Sequence, residues 1–180
     1  SAVQIVPEIA KETAELRLFQ RSAPYVIDKP DRPYRTWEKA VLAKVPGLYE
    51  LNRARIYAMF ESRAIGFFKY PKLMSLVKKR FWDTLTEAVD DPELRRALVP
   101  DYPMGCKRIL ISNDYYPALT KPHVDLITDP IRSITPGGVR TARREYEVDV
   151  IVYATGFRTS DFLSPMKIVG RDGLGLNEAW

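Results

Sequence analysis

Apolar positions change their period several times along the chain, and each change marks an element. Val3, Val6, Ala10 and Ala14 recur at helical spacing, with Ile5 and Ile9 on the flank, and then Leu16, Leu18 and Gln20 step by two. Steps of three and four gather side chains on one face of a helix, whereas a step of two alternates the faces of a strand. The start therefore reads as the helix and following strand of a βαβ unit, although no strand or capping turn stands before the helix. Residues 23–37, APYVIDKPDRPYRTW, hold Pro24, Pro30 and Pro33 and read as an irregular crossing segment at a domain boundary.

Residues 38–98 carry helical punctuation only. An apolar pattern runs through Leu51, Tyr57, Phe60, Ala64 and Phe67, breaks at Tyr70 and Pro71, and resumes as a second helix over residues 73–89. Asp91 followed by Pro92 is an N-cap ahead of a proline at the first helical position, so a short helix is predicted through Leu94 and Leu98. Strand-like patterns return after Pro100, over residues 108–112, 124–127 and 131–134. The turn at Pro136, Gly137 and Gly138 then leads into a predicted hairpin pairing Val139, Arg140 and Thr141 with Tyr146, Glu147 and Val148. DVIVYATGF, residues 149–157, has an apolar run with no charge after Asp149 and reads as a fully buried parallel strand. The chain opens inside an element and ends in GLGLNEAW without a helix-ending signal, so a segment of a longer protein is expected. The fold class predicted is α/β with a helical insertion.

Composition narrows the classes. With 180 residues, 46% of them hydrophobic and 28% charged, the chain has material for a packed core. No stretch approaches the roughly 20 apolar residues of a membrane span, and SAVQIVPEIA is not a secretory signal, so a cytoplasmic protein with no membrane partner is expected. One Cys and one His rule out an internal disulfide framework and a His/Cys metal site. Net charge +5 favours an anionic partner such as nucleic acid or a phosphorylated cofactor. The cations are dispersed, however, and the longest basic run, Lys78-Lys79-Arg80, has no aromatic ladder, which speaks for a solvated helix face and against nucleic acid.

The chemistry centres on two places. In a dinucleotide-binding βαβ unit the residue near the end of the second strand meets the adenosine ribose: an acid suits the 2'-hydroxyl of NAD and an arginine the 2'-phosphate of NADP. Here Phe19-Gln20-Arg21-Ser22 offers no acid, a guanidinium and a hydroxyl; an exposed arginine at a strand end is the plain alternative. Ser1 and Ala2 could supply only the last positions of a glycine-rich fingerprint, about 20 residues ahead of Arg21. In YPMGCKRILISNDYYPAL, Lys107 could close on the same phosphate, while Arg108, next in an extended chain, points to the opposite face; a surface Lys-Arg pair is again the plain alternative. Cys106 reads as a small packing residue and His123 as a loop residue without a catalytic role. Ala154-Thr155-Gly156 is either a close backbone approach or a tight turn.

Taken together, SAVQIVPEIA, FQRSAPYVIDKPDRPY, DPELRRALVPDYPMGCKRILISNDYYPAL, ITPGGVRTA and DVIVYATGF resemble the Baeyer-Villiger type of flavin-dependent monooxygenase over most of the chain. The resemblance implies two Rossmann-like dinucleotide-binding domains, one for FAD and one for NADPH. It assigns residues 1–34 and 102–145 to the NADPH domain, 35–101 to a helical insertion, and 146–180 to the chain's return into the FAD domain. It implies NADPH reduction of the flavin, addition of O2 at flavin C4a, and attack of the peroxide on a ketone to give an ester or lactone. By the same resemblance Arg108 stabilises the anionic peroxyflavin and its adduct. Arg21 and Lys107 hold the 2'-phosphate with Ser22 beside them, Ser1, Ala2 and Gln4 end the NADP fingerprint, and Ala154, Thr155 and Gly156 form the returning strand. The related flavin-containing monooxygenases, which oxygenate amines or sulfides, are the alternative, and a basic nucleic-acid-binding module is a distant one.

Overall fold

The computed structural model describes residues 2–68, 74–156 and 165–176. Ser1, the predicted break at Tyr70 and Pro71, and Phe157 lie outside them, as do the side chains of Ala64 and Phe67. Two compact units are present: Ala2–Asp149, and a second made of Val150–Trp180 with Ser1.

In the first unit the predicted opening is realised. Helix α1 (Ala2–Ile9) buries Val3 and Val6, Ala10 just past its end continues that face, and the chain leads on to strand β1 (Leu16–Phe19). Ala14 does not extend that face, because the helix ends at Ile9 and Ala14 lies exposed in the following turn. Strand β2 (Val26–Ile27) then runs through the segment expected to be irregular. Pro24 and Pro30 frame this aromatic and β-branched run without interrupting it, so each of its N–H groups stays free for a ladder. Helices α2 (Thr36–Lys44), α3 (Leu48–Phe68), α4 (Met74–Ala88) and α5 (Pro92–Ala97) follow. Asp91 caps α5, its carboxylate accepting from the Glu93 N–H at 2.8 Å, with Pro92 behind it as expected.

Beyond Pro100 come β3 (Leu110–Ile111), α6 (Tyr115–Leu119), β4 (Val124–Ile127) and an antiparallel sheet of β5 (Ile131–Thr135), β6 (Gly138–Thr141) and β7 (Glu145–Glu147). β1 pairs in parallel with β4, Leu16 opposite Val124, and β2 in parallel with β3, Val26 opposite Leu110. β3 is shorter than the predicted 108–112, because its ladder with β2 reaches only from the Leu110 N–H on the Tyr25 carbonyl to the Ser112 N–H on the Ile27 carbonyl. The hairpin forms as predicted, Val139 facing Tyr146. Gly138 is required there, since a Cβ would meet the Tyr146 carbonyl oxygen at 2.0 Å.

One apolar core joins α1, β2, α4, α6 and β4. Helix α4 contributes Phe81 and Leu85, Val89 just past its end continues the spacing of four, and α6 contributes Tyr115, Tyr116, Ala118 and Leu119. Each fully buried side chain of this size adds about 1.5–3 kcal/mol. α2 and α3 are helical as predicted, but Leu51 and Tyr57 are exposed and α2 has no buried residue. The strand expected at 149–157 is not observed: residues 150–156 form no strand, with Val150 76% and Tyr153 71% exposed. No described strand offers them the N–H and C=O partners that an extended run needs. The second unit is organised instead around a 3-10 turn at Arg171–Gly173 and a bridge between Val169 and Gly175. Among the described residues no helix is long and apolar enough to cross a membrane.

Candidate functional site

The ladder of β1 runs one residue past Phe19, where the Gln20 N–H donates to the Ile127 carbonyl at 2.9 Å, so Arg21 and Ser22 are the first residues released from the strand. The Gln20 side chain is held from both ends: its Nε2 donates to the Ala97 carbonyl at 3.3 Å, and the Tyr115 hydroxyl donates to its Oε1 at 3.5 Å. Arg21 itself is exposed and makes no hydrogen bond or ion pair with another described residue.

Lys107 reaches the same place from the other side. Because β2 and β3 run in parallel with Val26 opposite Leu110, the residues just before β3 lie alongside those just before β2. Gly105 turns the chain with φ +99°, a conformation glycine adopts without strain, and the Cys106 N–H closes the turn on the Pro103 carbonyl at 3.2 Å. Lys107 emerges from this turn, not from a strand. Its ammonium donates to Ser22 Oγ at 3.4 Å and lies 4.1 Å from the centre of the Tyr102 ring. Cys106 is exposed, not the packing residue expected, since the turn at Gly105 carries it outward.

Several cations of this unit sit in ion pairs. Arg17 pairs with Glu15, Lys29 with Asp31, Arg32 with Glu38, Arg80 with Asp28 and Arg140 with Glu145. Those pairs leave their mark: bidentate contact with Arg32, helped by the Arg35 N–H, holds the Glu38 carboxyl down at about 2, and Arg80 lowers that of Asp28. Arg21 and Lys107 have no carboxylate partner among the described residues. Lys107 meets the Ser22 hydroxyl, Arg21 is the neighbouring residue along the chain, and no described carboxylate pairs with either cation, a set of groups that suits a phosphate monoester with its several acceptor oxygens. A groove of about 650 Å³ beside α5 and β4 is lined by Asp90, Asp91, Glu93 and Asp125 among others, and its charge is wrong for a phosphate.

Arg108 is exposed, stands two residues ahead of β3, and also lacks a hydrogen-bond or ion-pair partner among the described residues. Ala2 and Gln4 occupy the first turn of α1, where backbone N–H groups have no partner within the helix, and the Gln4 side chain is exposed. Ala154, Thr155 and Gly156 lie in the second unit, Ala154 half-buried and the other two exposed, with Gly156 at φ +95°. His123 has a structural part: its Nε2 lies 2.9 Å from the Ala10 carbonyl oxygen, to which Lys121 Nζ also donates at 3.4 Å, closing the end of α1.

Sequence reasoning missed Tyr25 and Tyr102. The Tyr25 hydroxyl donates to the Tyr102 carbonyl at 2.9 Å, and their rings meet edge to face, 5.5 Å between centres. An aromatic residue a few positions before a Gly-Cys-Lys turn was the available signal.

No protein-family model matches the chain. Over its whole length it is 40% identical to a Baeyer-Villiger monooxygenase of Pseudomonas aeruginosa and 37% identical to one of Streptomyces coelicolor, covering 34% and 35% of their lengths. The crystal structure of OTEMO in complex with FAD and NADP superposes on 99% of the chain with TM-score 0.73 and 26% identity, the match covering 40% of that structure. The α/β architecture, with its parallel strand pairs, is therefore similar to part of these flavin monooxygenases, and the resemblance read from the sequence extends along the whole chain. The chain spans about a third of the length of the curated relatives it matches.

Proposed function

We propose that this chain is the part of a Baeyer-Villiger type monooxygenase that selects NADPH and supplies the arginine of the oxygenation step. The observation that carries the reading is the contact of Lys107 with Ser22, the residue next to Arg21, with no described carboxylate paired to either cation. Residues 1–34 and 102–145 belong in this reading to the NADPH domain, 35–101 to a helical insertion and 146–180 to the return into an FAD domain. The activity of the relatives and the similarity to OTEMO, crystallised with FAD and NADP bound, support it.

The residues divide the work by position. Arg21 and Lys107 bind the 2'-phosphate, with Ser22 giving a further hydrogen bond, and Ser1, Ala2 and Gln4 present the start of α1 to the pyrophosphate. When bound, NADPH supplies a hydride and FAD the means to activate O2. Arg108, a guanidinium with no carboxylate partner among the described residues, stabilises negative charge as it develops on a reacting oxygen. Ala154, Thr155 and Gly156 belong in this reading to the stretch by which the chain re-enters the FAD domain. The substrate is a small-molecule ketone, converted to an ester or lactone, and the enzyme is cytoplasmic.

The test uses the full-length flavoprotein. Arg21→Ala and Lys107→Ala each raise the KM for NADPH and leave that for NADH nearly unchanged. Arg108→Ala leaves flavin reduction by NADPH intact and lowers oxygenation by about 10²-fold or more. Unchanged NADPH preference in both cation variants overturns the cofactor reading; loss of reduction alone in Arg108→Ala overturns the role of Arg108. Turnover of amines or sulfides but of no ketone moves the reaction to the N- or S-oxygenating relatives.

A further inference from the structure

Lys107 ends a continuous path of contacts that starts in the core. Phe81 is 1% exposed on α4, and its ring meets the Tyr25 ring edge to face, 4.9 Å between centres. Tyr25 in turn holds Tyr102 twice, by the 2.9 Å hydrogen bond to its carbonyl and by the edge-to-face ring contact. The face of Tyr102 then receives the Lys107 ammonium at 4.1 Å, well within the range of a cation–π attraction. The turn at Gly105 makes this possible, since it brings a residue five positions later back over the ring.

We propose that Tyr102 is a positioning residue that sets the preference for NADPH over NADH, acting through Lys107. The inference rests on the reading of Arg21 and Lys107 as the 2'-phosphate site. A lysine on an exposed turn samples many rotamers, and binding must collapse them at a cost in entropy. The Tyr102 ring narrows that set before the cofactor arrives and leaves the ammonium beside Ser22, so less ordering opposes binding. NADH carries no 2'-phosphate and has nothing for Lys107 to hold, so the effect is confined to NADPH.

Steady-state flavin reduction in the full-length flavoprotein tests this. Tyr102→Leu is expected to raise the KM for NADPH roughly threefold to fivefold, the scale of one cation–π contact, with kcat and the KM for NADH changed by less than about twofold. Tyr102→Phe, which keeps the ring, retains the wild-type values. Adding Tyr102→Leu to Lys107→Ala gives no further loss, because the ring acts through the ammonium. Should Tyr102→Leu fail to fold, 3,4,5-trifluorophenylalanine at position 102 keeps the shape, withdraws the ring's negative face, and raises the KM for NADPH relative to Tyr102→Phe. A selective effect of Lys107→Ala with no effect of Tyr102→Leu or of the fluorinated ring overturns the inference and leaves the phosphate site standing. Equal loss for NADPH and NADH also overturns it, as a purely structural role. Unaltered selectivity in Lys107→Ala overturns both the site and the inference.

Discussion

Two apolar runs in this chain have the same chemistry and opposite fates. Tyr25-Val26-Ile27 is only three residues long and is buried throughout, with Val26 fully enclosed. Val150-Ile151-Val152-Tyr153-Ala154 is longer and as rich in β-branched and aromatic residues, yet Val150, Val152 and Tyr153 are exposed. The difference lies in partners. β2 has β3 on its hydrogen-bonding edge and α4 and α6 against its side chains, whereas no described strand pairs with residues 150–156. An apolar run thus states a need for burial, and the neighbours decide whether it is met.

The comparison can be broken most forcefully at Val26. Val26→Asp places an unpaired carboxylate in the core, and we expect a loss above about 4–5 kcal/mol, comparable with the whole stability of a small domain. A cooperative denaturant transition surviving in that variant would show that the core is not organised around β2. Phe81→Ala, which empties the face of α4 over Tyr25, is expected to cost about 3–5 kcal/mol in the same measurement.

A smaller effect is expected at Asp28, which closes the β2 side by a bidentate contact with Arg80 at 2.5 and 2.7 Å and by Thr84 at 3.3 Å. Hydrogen bonding from Arg80 lowers its pKa below the ordinary 3.8. Its stabilising contribution is therefore fully present above that ordinary value and is lost as pH falls through the lower folded value. Asp28→Asn should flatten the acid limb of a stability–pH profile, and an unchanged limb would remove Asp28 from it. The least effect is expected at the other run: Val152→Ser in the 180-residue chain changes stability by less than about 0.5 kcal/mol. In the full-length flavoprotein, if this run becomes a buried strand of the FAD domain, the same substitution is costly, and equal neutrality in both would discard that placement.

Local patterns are legible where the signal is short-range. The helix at Val3 and Val6, the cap at Asp91 and Pro92, the β6–β7 hairpin and the strand at 124–127 all follow from spacing or turn chemistry within a few residues. β2 is hidden because its proline-rich flanks dominate the composition around two strand residues, and the length of β3 is not legible because a ladder ends where its partner does. For the candidate site, the residue types of Arg21, Ser22 and Lys107 are plain in the sequence. The contact of Lys107 with Ser22 is not, since the two stand 85 positions apart.

By itself the sequence determined the class of elements, the absence of an acid after β1, the run of cations at Lys107 and Arg108, and the similarity to one group of flavin enzymes. Only the tertiary structure decided that Lys107 leaves a glycine turn, crosses the Tyr102 ring and reaches Ser22. The physical reason is that propensity and periodicity act over a turn or a strand, while the placement of a charge depends on strand register and on aromatic contacts that join distant parts of the chain.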